Sequence, residues 1–256
     1  MLHYLKDTDS VADRKGPVMS STETTTRRLL WAGVAAGPLF VVTAGLQAAL
    51  RPGFDLRRHP ISLLSLGDAG WIQIANFVVA GSLLIVYSVG LRRRLRPGPA
   101  SRWAPLLFAT CGAGMIAGGV FTADAGAGFP PGAPEGMPET MTLHGTVHAV
   151  SPPVAFLALV LGIAVSGRRL WRDNRRGAAV VAWVTAPVCL VLTLPIWPAF
   201  SITLFVAVAL GLGWVSVQAA GLLRAPTPTA PGPGTAGTSP ATPRSRRAPA
   251  RQPLQR

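Results

Sequence analysis

Two histidines spaced i and i+4, His144 and His148, open an apolar run, and an aspartate, Asp124, closes the run before it. On a helix that spacing puts both imidazoles on one face, about 5–6 Å apart. A helical hairpin joining the two runs brings Asp124 to a similar depth. Two imidazoles and a carboxylate are a donor set for zinc, which in a catalytic site takes three protein ligands and keeps a position open for water. His59, in an earlier loop, is a further candidate ligand. The same residues also fit a structural role, in which the histidines hydrogen-bond to backbone or to Asp124 and lock two loops together. The stronger His-Glu-x-x-His pattern is absent. Ser62 follows His59 by three residues, the components of a nucleophile and a base, but Gly-x-Ser-x-Gly is missing and capping suits this serine better. The expectation is one hydrogen-bonded group of Asp124, His144 and His148, with Asp124 orienting a histidine through one ring nitrogen and His59 close enough to join.

The elements that must position these residues are long and apolar. Charge-free runs of about 20 residues cover a hydrocarbon core of roughly 30 Å as helix, the form that satisfies its own backbone in lipid. Six such runs fall at 29–50, 71–91, 103–123, 143–166, 178–195 and 198–223. Pro38, Pro152, Pro153 and Pro187 lie inside them and predict kinks. Gly114 and Gly118 make a small-xxx-small face suited to close helix approach. Gln47, Gln73 and Asn76 fall near the ends of their runs, leaving the midplane almost without strongly polar groups, which argues against an ion-driven carrier. Cys111 and Cys189 lie mid-run with no C-x-x-C spacing and read as small buried apolar residues. The fold class is therefore all-α, a polytopic transmembrane bundle of six spans.

Charge sets its orientation. Arginines cluster between the second and third runs (Arg92–Arg94, Arg96, Arg102) and between the fourth and fifth (Arg168, Arg169, Arg172, Arg175, Arg176). Of 24 Lys and Arg residues only Arg51, Arg57 and Arg58 fall on the other side, so 24 minus 3 leaves 21 on one face. Positive residues stay cytoplasmic, which gives N-in, C-in, with the arginine loops against anionic headgroups of the lipid bilayer. Trp31, Trp103 and Trp171 then lie at the inner interface and Trp71 and Trp197 at the outer one, with Trp183 and Trp214 deeper. A net charge of +14 does not read as nucleic-acid binding, because the arginines sit where insertion needs them and no basic-aromatic motif accompanies them. Residues 1–26 are polar and lack a secretory h-region, and Met19 offers a second start. Segments 1–26 and 225–256, the latter rich in Pro, Ala and Thr, are expected to be disordered around a transmembrane domain at 27–224.

His59-Pro60-Ile61-Ser62 before the second run, Gly119-Val120-Phe121-Thr122-Ala123-Asp124 closing the third, and His144-x-x-x-His148 opening the fourth together resemble a bacterial six-span membrane family, domain of unknown function 998. The likeness covers roughly residues 29–220. It implies a multi-pass protein of the bacterial plasma membrane with no established reaction. The His and Asp set is also similar, more distantly, to membrane hydrolases of the alkaline ceramidase and progestin-receptor type. Those differ in having seven spans, with His-x-x-x-His on the last. Two functions stay open. One is a non-enzymatic component in transport, sensing or envelope assembly, with a polar cluster at its outer face and no cofactor. The other is a metal-dependent hydrolase of lipid or envelope substrates, using zinc held by His59, Asp124, His144 and His148.

Overall fold

The computed structural model describes residues 20–96, 100–136 and 138–225. The expected disordered segments lie outside them, save residues 20–26 and Ala225. Six helices follow in order, α1 (Ser21–Leu50), α2 (Gly70–Leu95), α3 (Ala100–Val120), α4 (Leu143–Arg172), α5 (Arg176–Leu192) and α6 (Phe200–Arg224). A short 3₁₀ turn, Ile61–Ser65, sits in the α1–α2 loop. Helix α1 starts inside the segment expected to be disordered, because Ser20-Ser21-Thr22-Glu23 is a capping sequence and the Ser20 hydroxyl accepts the Glu23 N–H at 3.2 Å. Helix α3 stops at Val120, which leaves Asp124 on the following loop and not at the end of a span.

Each helix packs on its neighbour in sequence, and α6 returns against α1 to close a ring. Arg27 Nη1 donates to the Leu223 carbonyl at 2.8 Å, so α1 begins where α6 ends. That end of the bundle also carries the arginine clusters and is called the arginine end below. The opposite end, formed by 51–69, 121–142 and 193–199, is the cap end. Among the described residues five helices are long and apolar enough to cross a membrane; α5, at 17 residues, is shorter. It ends at Leu192, before Pro195 and Pro198, and residues 193–199 complete the run from the arginine end to the cap end.

The outward faces carry Val42, Leu46, Val154, Leu161, Val181 and Val184, all exposed, while Phe40, Leu84, Tyr87, Phe108 and Ile163 pack inward together with alanines and a few polar residues. A side chain added at Gly81 or at Gly112 would strike the other's carbonyl oxygen, so α2 and α3 touch backbone to backbone there. A side chain added at Gly114 would strike the Ala155 Cβ of α4, whereas Gly118 has only the Ser151 Cβ at 3.8 Å before it. Buried Gln47, Gln73 and Asn76 form an amide network between α1 and α2, in which Gln47 Nε2 and Asn76 Nδ2 donate to Gln73 Oε1 at 2.8 and 3.2 Å. Trp31, Trp71, Trp103, Trp171 and Trp197 are exposed and Trp214 is buried; Trp183, though partly exposed, packs against Gly167 and the Trp171 ring and donates to the Ala164 carbonyl at 3.2 Å.

Candidate functional site

The polar residues of the cap end serve backbone groups. Asp124 receives the Thr142 hydroxyl at 2.6 Å on one carboxylate oxygen and the Thr142 N–H at 2.9 Å on the other. Thr142 is the N-cap of α4, its hydroxyl also accepting the Gly145 N–H at 3.0 Å, so Asp124 extends that cap beside the positive end of the helix dipole. The Thr142 hydroxyl and backbone N–H hold the Asp124 carboxyl below the usual carboxylate range, with His144 and His148 adding smaller electrostatic contributions. The expected Asp124–histidine hydrogen bond does not form, because the α4 N-cap takes both oxygens.

His148 is 6% exposed, and its Nδ1 faces two carbonyls, Gly118 at 3.0 Å and Phe121 at 2.8 Å. These are among the carbonyls that α3 leaves unpaired where it ends, and carbonyls only accept, so Nδ1 carries the ring hydrogen. His144 is exposed and packs its ring against Phe121, with centroids 5.3 Å apart.

His59 belongs to a separate cluster. It is 3% exposed; its Nδ1 accepts the Asp55 N–H at 2.9 Å, so Nε2 is the donor to the Ala127 carbonyl, also at 2.9 Å. Phe54 and Phe129 flank its ring, with centroids at 5.3 and 5.4 Å. Arg51 donates to the Leu64 and Leu66 carbonyls and lies over Phe129, and Arg58 pairs with Glu135 at 2.8 Å. His59 thus ties the two cap loops together and joins neither Asp124 nor His148 by hydrogen bond. Both its nitrogens are occupied, so it has no free base for Ser62. Among the described residues no three His, Cys, Asp or Glu side chains gather closely enough to hold a metal ion.

Beneath the cap lies a chamber of about 610 Å³. The 3₁₀ turn with Pro60 and Ser62 forms its roof, and apolar side chains such as Phe40, Phe77, Met115, Leu159 and Leu212 line it as far as the middle of the bundle. His148 stands in its wall near the cap. Ala149, Pro152, Pro153 and Leu157 of α4 line it and are also exposed, so it opens sideways beside the cap-end half of α4, where the helix runs on through the proline pair although proline nitrogens have no hydrogen to donate. Thr142, Arg51, Phe129 and the chamber escape sequence reading to different degrees. A threonine before an apolar run is an N-cap signal available in the sequence; the chamber, lined by residues from all six helices and the α1–α2 loop, has no local signature.

A closed ring of apolar helices with tied loops at one end defines a multi-pass helical membrane bundle. The chain belongs to the family described as protein of unknown function DUF998, whose model matches residues 34–223. No curated protein and no solved structure matches it.

Proposed function

We propose that this protein is a six-crossing component of the bacterial plasma membrane, N-in and C-in, that binds a lipid-like molecule in the chamber as part of transport, sensing or envelope assembly. The sideways-opening apolar chamber under a fixed cap carries this reading. Its volume of about 610 Å³ lies within the roughly 300–1,000 Å³ of ligand pockets. Residues 193–199 complete the crossing that α5 begins, and the arginine end meets anionic headgroups of the cytoplasmic leaflet. The test is native mass spectrometry of the full chain extracted in mild detergent. We expect a one-to-one lipid adduct that Gly118→Leu reduces about tenfold or more, since the new side chain displaces several ligand methylenes at about 0.8 kcal/mol each. An adduct indifferent to that substitution would overturn the reading.

A metal-dependent hydrolase is the second reading, favoured by His144 and His148 standing within electrostatic reach of Asp124. It requires a third ligand to move in. Stoichiometric zinc in purified protein, lost in His148→Ala, would select it.

A further inference from the structure

We propose that the chamber selects a single-chain amphiphile whose head is an uncharged hydroxyl donor, of the monoacylglycerol or long-chain alcohol type, received by Nε2 of His148. This rests on the preceding reading that the chamber holds a lipid-like ligand and adds the chemistry of its head.

Because Nδ1 of His148 donates to the Gly118 and Phe121 carbonyls, Nε2 is the acceptor nitrogen of this tautomer. It has no hydrogen-bond partner among the described residues, although His148 is buried and lines the chamber. Nε2 is not one of the fully buried atoms left without a partner, so it stays open to the chamber that His148 lines, and a ligand hydroxyl can donate to it there in place of water. Ser62 lines the roof and its hydroxyl also has no hydrogen-bond partner among the described residues, which provides a second polar contact for a diol head. Thr193, the remaining hydroxyl in the wall, already donates to the Leu190 carbonyl at 2.7 Å.

The charge of the head follows from what is missing in the wall. Neither lysine nor arginine lines the chamber. A carboxylate or phosphate would therefore lie buried with no cation and would set its own lone pairs against Nε2. The number of chains follows from size. With each methylene taking about the ~30 Å³ of a water molecule, a cavity of about 610 Å³ accepts about 20 heavy atoms, which is one chain with a small head and not two. Entry follows from the opening, which lies on the apolar flank of α4 and not among the cap loops.

The experiment compares 1-monopalmitoylglycerol with palmitate, equal in chain, added at equal concentration to the purified full chain and read by native mass spectrometry. We expect monopalmitoylglycerol to be bound about tenfold in preference. His148→Asn keeps an N–H donor for the two carbonyls and replaces Nε2 by an amide oxygen on a shorter side chain that does not reach the Nε2 position, so the preference should fall towards one while total chain binding persists. Ser62→Ala, which touches no described hydrogen bond, should lower the preference in part and serves if His148→Asn does not fold. Equal binding of the two lipids, or preference for palmitate, with Gly118→Leu still excluding both, overturns the head-group assignment and leaves the chamber reading standing. Binding of either lipid unaffected by Gly118→Leu overturns the chamber reading itself.

Discussion

His144 and His148 are one turn apart, yet they carry different burdens. His148 closes the end of α3 through two carbonyls and is buried, whereas His144 only lays its ring on Phe121 and is exposed. His148→Ala should therefore destabilise the bundle by about 1–3 kcal/mol, the usual penalty for orphaned buried polar groups. His144→Ala should stay within about 0.5 kcal/mol, as surface changes do. Denaturant unfolding in detergent, followed by tryptophan fluorescence, separates the two, and equal effects would contradict the hydrogen-bond assignment. Asp124 predicts a pH dependence. Its carboxyl is held low first by the Thr142 hydroxyl and then by the Thr142 N–H. A carboxylate depressed in the folded state contributes stability that is present above its unfolded value and is lost as pH falls through the lower folded value. Wild-type protein should thus melt above Asp124→Asn at neutral pH, and the gap should close below the ordinary carboxylate range. A gap that persists in strong acid would place the effect elsewhere.

At the level of elements, glycines decide how closely the helices approach. Gly81 and Gly112 face each other across α2 and α3, so a leucine at either forces the backbones apart, and overpacking of this kind costs about 1–3 kcal/mol or more. Gly213 on α6 has nothing within 4 Å, so Gly213→Ala should be neutral or stabilise by up to about 1 kcal/mol through helix propensity. Thermal midpoints of Gly81→Leu, Gly112→Leu and Gly213→Ala in one detergent check the ordering. The same elements show what sequence can convey. The run lengths and arginine clusters fix the helices to within a few residues, apart from the polar start of α1, where the Ser20 cap adds two turns that hydropathy does not detect, and the end of α4, which continues six residues past the expected 166 through Arg168 and Arg169 to Arg172. Gly114 stands out through its spacing from Gly118, but Gly81 and Gly112 have partners on different helices and so leave no motif. Asp124 lies within electrostatic reach of His144 and His148. Their bonding is not legible, because competition between an N-cap hydroxyl, a helix end and an imidazole is settled by distances of tenths of an ångström. His59 reads as a ligand because its loop is polar, and it is in fact the tie between two loops that are far apart in the chain.

For the molecule as a whole, the open quantity is which end faces the cytoplasm, and here charge makes a strong prediction. Arg92, Arg93 and Arg94 in the last turn of α2 and Arg169 and Arg172 in that of α4 gather at the end where α1 begins and α6 stops. These cations also lie at helix C-termini, where the dipole favours them, so their positions serve folding and insertion together. The cap end carries Arg51, Arg57 and Arg58, but Arg51 is engaged with the Leu64 and Leu66 carbonyls and Arg58 with Glu135. Inverting the protein would move 21 of the 24 basic residues across the membrane, counting the chain outside Arg51, Arg57 and Arg58. Translocating even one such charge is unfavourable by about 2.5–3.5 kcal/mol at the centre of a span. A cytoplasm-active reporter joined after Arg176 should therefore be active. One inserted beside Gly132, a turn residue with φ of +93° and open space around it, should be active only when the reporter works outside the cell. The α5–α6 hairpin adds an internal check, since a reporter near Trp197 must agree with Gly132 if α5 crosses and with Arg176 if it does not. Agreement with Arg176 would remove the sixth crossing, and activity of both principal reporters on the opposite sides would reverse the whole bundle and place the chamber in the cytoplasmic half of the membrane.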